Sequence, residues 1–250
     1  MSRPFYGRII FGASAALFGV IALMWHDADT WQTLTQIWRL PFGSVIGACL
    51  MIAQIGGGIG IAIGIGRRGT AHAAALLLAV VYLLFSLACI PSIIAAPTTY
   101  LHYGSFFEQV CLLSGAIALC GQTEANAARD AAFAFVARLG LGLCAISFTL
   151  SQVFYLRATA GLVPTWIPPN QNFWATLTTV AFGLAAAAIL TNRSASLAIW
   201  LMTLMLAIFG VLVWVPRLIA HPGSHGNWSE FALTFLITGA CWMVADLPIL

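Results

Sequence analysis

From Ser44 to Gly66 the chain runs without a single charged residue, and that stretch alone limits what it can fold into. It is as long as a helix must be to cross about 30 Å of hydrocarbon at 1.5 Å per residue. Seven other apolar segments share the pattern, at Arg8–Trp25, His72–Ile94, Ser105–Gly121, Ala131–Phe154, Phe173–Leu190, Ser196–Ile219 and Ser229–Ala245. Inside a bilayer every backbone N–H and C=O must be satisfied by the chain itself, which leaves helices or closed barrels. None of these runs shows the period-2 alternation of a barrel strand. The expectation is an all-α integral membrane protein with eight transmembrane helices. Charged residues make up 7% of the chain and the mean hydropathy is +0.97, whereas a soluble domain carries about 25% charged residues. The first apolar run follows Arg3 and Arg8, as in a signal peptide. It is longer than an h-region and no small-residue cleavage site follows, so it reads as the first span.

The eight runs fall into two sets of four. With a shift of 125 positions Pro91 lands on Pro216, Ala95 on Ala220, Pro97 on Pro222, Tyr103 on Trp228 and Phe106 on Phe231. Two prolines at one separation, followed by matched aromatics, point to a unit duplicated in tandem. We expect a first four-helix repeat at 1–121, a cytoplasmic joint at 122–130 through the polar QTEANAARD, and a second four-helix repeat at 131–250. The ten basic residues are all Arg. Arg3, Arg8, Arg67, Arg68, Arg129, Arg138 and Arg193 fall at one set of loops and ends, and Arg39, Arg157 and Arg217 at the other. By the positive-inside rule both termini are cytoplasmic, and the reading is a multi-pass protein of a bacterial inner membrane. A net charge of +3, scattered in this way, speaks against nucleic acid as a partner.

Two features invite chemistry and are read as packing. QIGGGIGIAIGIGRR in the second span resembles a dinucleotide fingerprint on paper, but that motif works at a strand-to-helix turn. Gly56, Gly60 and Gly64 instead make a smooth stripe for a neighbouring backbone, answered in the sixth span by Gly183 and Ala185 to Ala188. The six Cys sit singly in apolar runs with no CxxC spacing, which suits small buried hydrophobes. His26, Asp27 and Asp29 follow no metal-ligand spacing. NRS at Asn192 and NWS at Asn227 are formal sequons, the first on the cytoplasmic side. No nucleophile triad, P-loop or paired catalytic carboxylate occurs, so no catalytic residue is assigned.

Polar chemistry collects on the outward side of the chain. Trp214, Arg217, His221, Trp228 and Glu230 form the candidate ligand site, with His102, Tyr103 and Glu108 as counterparts in the first repeat. Pro216 removes a backbone bond near a helix end and frees carbonyls there. Arg217 can hydrogen-bond a polar head group, and Trp rings offer flat apolar walls. Repeat one has Ser92 where repeat two has Arg217, which favours repeat two as the holder.

GLVPTWIPP (Gly161 to Pro169), LVWVPRLIAHP (Leu212 to Pro222) and NWSEF (Asn227 to Phe231) resemble the DoxX-like membrane family, and the first half looks like a diverged copy keeping WRLP (Trp38 to Pro41). The resemblance implies four-helix membrane units, some associated with quinone-linked oxidising complexes. Relatives often carry a His two residues before the Pro-Arg pair, where this chain has Trp214 and, in repeat one, Cys89. The implied role is an accessory or quinone-handling subunit of a membrane oxidoreductase, with the bilayer and other membrane subunits as partners. No cofactor belongs to the chain itself, and a quinone is the ligand expected. The alternatives are a structural scaffold in a larger membrane assembly or a carrier of a small hydrophobic molecule.

Overall fold

A computed structural model describes residues 6–25, 32–64, 67–124 and 126–247. His26, Asp27, Asp29, Arg3 and Trp31 lie outside them. The described elements are α1 (Tyr6–Met24), α2 (Gln32–Trp38), α3 (Gly43–Ile63), α4 (Arg68–Ala95), α5 (Tyr100–Thr123), α6 (Ala127–Phe154), α7 (Leu156–Leu162), α8 (Gln171–Thr191), α9 (Ala195–Phe209), a wide π-turn segment Gly210–Trp214, α10 (Val215–Ala220) and α11 (His225–Ala245). No strand occurs among the described residues. Eight helices are long and apolar enough to cross a membrane, with α9 to α10 counted as one. The protein is an all-α, multi-pass membrane fold.

Several helices outrun the apolar segments because polar residues cap them. The side chain of Asn126 accepts from the backbone N–H groups of Ala128 and Arg129 at the start of α6. Asn170 does the same for Phe173 in α8, and Ser224 for Asn227 in α11. Each satisfies donors that a helix start leaves open. Asn192, a formal sequon residue, ends α8 in the left-handed conformation at φ 56°, a role Asn fills at low cost. The polar joint expected at 122–130 shrinks accordingly. Helix α5 runs through Gln122 and Thr123, and α6 is already under way at Ala127. Two short helices, α2 and α7, went unread in the sequence. They begin and end within a residue of the 125-position shift.

Each long helix packs on the next in the chain, α11 returns to α1, and α5 and α11 also meet across the middle. Lipid tails are as apolar as the side chains, so close approach of small residues, more than water exclusion, holds such helices together. A side chain at Gly58 of α3 would strike the Gly12 carbonyl and the Ala16 N–H of α1. Gly239 of α11 lies against the backbone of Phe11 in α1, and Gly115 of α5 against Ala240 of α11. The glycine stripe of α3 is met in part, with Gly60 and Gly64 against α4, Gly64 on the Ala71 backbone. Gly57 and Gly60 take Leu78 and Ala74 of α4, while Gly56 faces open space. Nor does α8 answer α3: it packs on α6, α7 and α9, with Gly183 near Thr149 of α6. The partner of each face is set by the order of helices around the bundle, which composition does not reveal.

Side-chain hydrogen bonds pin the two ends. At the Arg-rich end Arg8 donates to Gln122, whose amide in turn donates to the Met243 carbonyl, tying α1, α5 and α11. At mid-depth the buried Gln54 of α3 donates to the Ala15 carbonyl of α1. At the opposite end Gln36 of α2 donates to Ser92 of α4, and Arg217 of α10 donates to the Gly161 carbonyl of α7. These two pairs are again 125 positions apart.

Candidate functional site

Pro216 is the second residue of α10, which continues the helix of α9 through the wide turn, so its missing N–H removes one backbone hydrogen bond there. Before it, five residues wind as a π-turn, a geometry that is rare and often found at functional sites. This wide turn places Trp214 inside the protein, 6% exposed, with its indole N–H buried and without a partner among the described residues. The Arg217 guanidinium lies 5.3 Å from the Trp214 ring centre, within cation–π range. Its Nη2 donates to the Gly161 carbonyl at 3.4 Å. Asn227, the second sequon residue, sits in the first turn of α11 and spends its amide on the Arg217 carbonyl.

The other candidate residues divide into anchors and charges. Trp228 donates to the Pro222 carbonyl at 2.8 Å, and Tyr103 donates to that of Pro97 at 3.1 Å. The same clamp joins Trp174 to Pro168. In each case an aromatic tip six residues on fixes the turn before its helix. His221 caps α10 with its backbone N–H on the Arg217 carbonyl and leaves its ring exposed. His102 lies in the first turn of α5, half-buried. Glu230 is exposed and Glu108 half-buried. The structure brings Arg217 onto Trp214, whereas Trp228, Tyr103 and His221 serve the loops.

Next to Trp214 the structure opens into a cavity of about 460 Å³ between α8 and α9, a size suited to a small ligand. Its lining is almost wholly apolar. Val163, Pro164 and Ile167 close one end, Trp174 and Leu177 form one wall, Leu204 and Ile208 the other, and Leu212 and Val213 of the wide turn complete it. Thr178 is the sole hydroxyl in the lining, and its oxygen is already committed to Ala175 and Gln152. Leu177, Leu204 and Ile208 are exposed on the surface of the bundle, so the cavity opens sideways, toward lipid in a membrane. Sequence reasoning pointed at Trp214 and Arg217 and missed the cavity. Arg217 stands four residues after Val213 of the lining, and its partner Gly161 two residues before Val163.

Among the described residues no group of three or more His, Cys, Asp or Glu is placed to hold a metal ion. The chain matches no known protein family, no functionally characterised protein and no solved structure.

Proposed function

We propose that the protein binds a lipid-soluble amphiphile, a quinone, and serves as a quinone-handling accessory subunit of a membrane oxidoreductase. One observation carries this reading: an apolar cavity open to the bilayer side, with the Arg217–Gly161 hydrogen bond joining the segments just beyond its end residues Val213 and Val163. A quinone has an apolar tail and a flat polar head whose carbonyl oxygens accept hydrogen bonds. The cavity offers the tail a bed of Leu, Ile and Trp, and Arg217 offers the head several donors in one plane. Leu212 to Pro222, the residues that resemble the DoxX-like motif, supply the last three residues of the wide turn and the Arg. Purification in mild detergent followed by organic extraction is expected to yield a quinone in stoichiometric amount. Ala181→Trp, which fills the cavity floor, should purify without it. Phospholipid alone in both extracts would overturn the proposal. Retention of one colourless protein partner instead would favour the scaffold reading.

The same proposal includes two four-helix repeats, 1–121 and 131–250, with the Arg-poor end outward. Supporting it are the paired Gln36–Ser92 and Gly161–Arg217 bonds, the Tyr103–Pro97 and Trp228–Pro222 clamps, and the contact of Gly115 with Ala240, residues that correspond under the shift. An axis along the membrane normal would relate the halves. Reporters inserted at Gly223 and at Glu124 should read opposite sides of the membrane, Glu124 inside. The reverse assignment would sink the orientation, and a shared side would sink the span count.

A further inference from the structure

Three cysteines scattered through the sequence meet in the middle of the molecule. Cys111 of α5, Cys144 of α6 and Cys241 of α11 are each fully buried. Gly140 of α6 lies against Ser114 and Val110 of α5, so the next turn of α6 brings Cys144 onto the Phe107–Cys111 turn. The Cys144 thiol donates to the Phe107 carbonyl at 3.0 Å. In an α-helix that carbonyl is also the acceptor of the Cys111 backbone N–H, four residues on. On the other side Gly115, one turn past Cys111, touches Ala240, the neighbour of Cys241. Cys111 is therefore flanked by the helix turns that carry Cys144 and Cys241.

An isolated thiol in apolar surroundings is inert, but this cluster has a proton acceptor beside it. Glu108 is three residues before Cys111 and shares its helix face. An ionisable group such as Glu108 within a membrane span is costly and marks a functional place.

We propose that Cys111, paired with Cys144 or with Cys241, is a dithiol–disulfide site oxidised by a lipid-soluble quinone. The oxidant's identity rests on the function proposed above; the thiol pairing does not. Two S–H bonds break and one S–S bond forms. Glu108 takes the proton of Cys111 and passes it to the quinone oxygen, the thiolate adds to the quinone, and attack of the partner thiol on that sulfur forms the S–S bond and releases the quinol with both electrons and both protons. The third thiol can then exchange with the disulfide through Cys111.

The test uses the full chain carrying Cys49→Ser, which removes the exposed thiol. The reduced protein in mild detergent is treated with a short-chain benzoquinone, denatured, alkylated and mapped by mass spectrometry. The expected result is two fewer alkylated thiols than in the untreated control and a peptide link from Cys111 to Cys144 or Cys241. Adding Cys111→Ser should abolish the link, whereas Cys120→Ser, in the same helix but outside the cluster, should leave it. Complete alkylation after quinone, or a quinone adduct with no S–S link, overturns the site. A link that still forms when Ala181→Trp fills the cavity upholds the thiol site and overturns the cavity as its source of quinone. Quinone bound in the cavity with every thiol still free overturns the thiol site alone.

Discussion

Gly58→Leu is expected to leave little folded protein, while Gly56→Leu, half a turn away on the same helix, should behave as the parent. At Gly58 even a Cβ would strike backbone atoms of α1, the Gly12 carbonyl and the Ala16 N–H, and backbone cannot rotate aside as a side chain can. Helix α1 would have to retreat along its length, losing its contact with α3 and straining its contact with α11. Overpacking of this kind costs about 3 kcal/mol or more, a large part of a typical stability of about 5–15 kcal/mol. A side chain at Gly56 meets nothing within 4 Å. Thermal unfolding followed by size-exclusion chromatography in detergent separates the two variants. Equal behaviour would mean that α1 and α3 do not meet at Gly12 and Gly58.

The second large effect concerns Arg217, one turn beyond the cavity's Val213. Arg217→Ala should weaken quinone binding by roughly 10- to 100-fold, because a hydrogen bond from a charged group to a ligand is worth about 1.5–3 kcal/mol. Arg217→Lys should recover only part of this, since an ammonium cannot reproduce the planar fork or its stacking on Trp214. Arg193→Ala, at the far end of the bundle on an exposed turn, should change nothing. Direct titration of the purified protein with a short-chain quinone measures all three. Matching mild losses for Arg217→Ala and Arg193→Ala would reduce Arg217 to a lipid contact.

The spans were legible because lipid leaves an apolar stretch such as Ser44–Gly66 no other backbone solution. Their ends were less so: His102 and Tyr103, placed before a span by hydropathy, lie inside α5, since helix limits follow caps and turns as well as apolarity. The short helices α2 and α7 were invisible because neither is apolar enough to register as a span nor long enough to show a helical period. At the site, Trp214 and Arg217 could be named from the Pro-Arg pair. The cavity beside them could not, because its walls come from α8 and α9 and any lipid-facing helix is rich in Leu and Ile. Cys111, Cys144 and Cys241 looked like isolated small hydrophobes for a similar reason. Nothing in their spacing foretells that α5, α6 and α11 converge. Glu108 alone, one turn from Cys111 within an apolar span, was a local signal that this level of the core differs from the rest.

The wide turn at Gly210–Trp214 has an angular consequence. One residue more per turn than an α-helix allows delays every later side chain by about 100° around the axis. Arg217 therefore occupies the direction an unbroken helix would have given to residue 216, and Pro216 the direction of residue 215. Helix α4 reaches the corresponding Pro91 without such a turn, so the two prolines align in sequence yet stand out of phase around their helices. The segment works as a rotary joint: if these five residues relaxed to ordinary α geometry, the guanidinium would swing away from Gly161 and off the Trp214 ring without one residue of the sequence having changed.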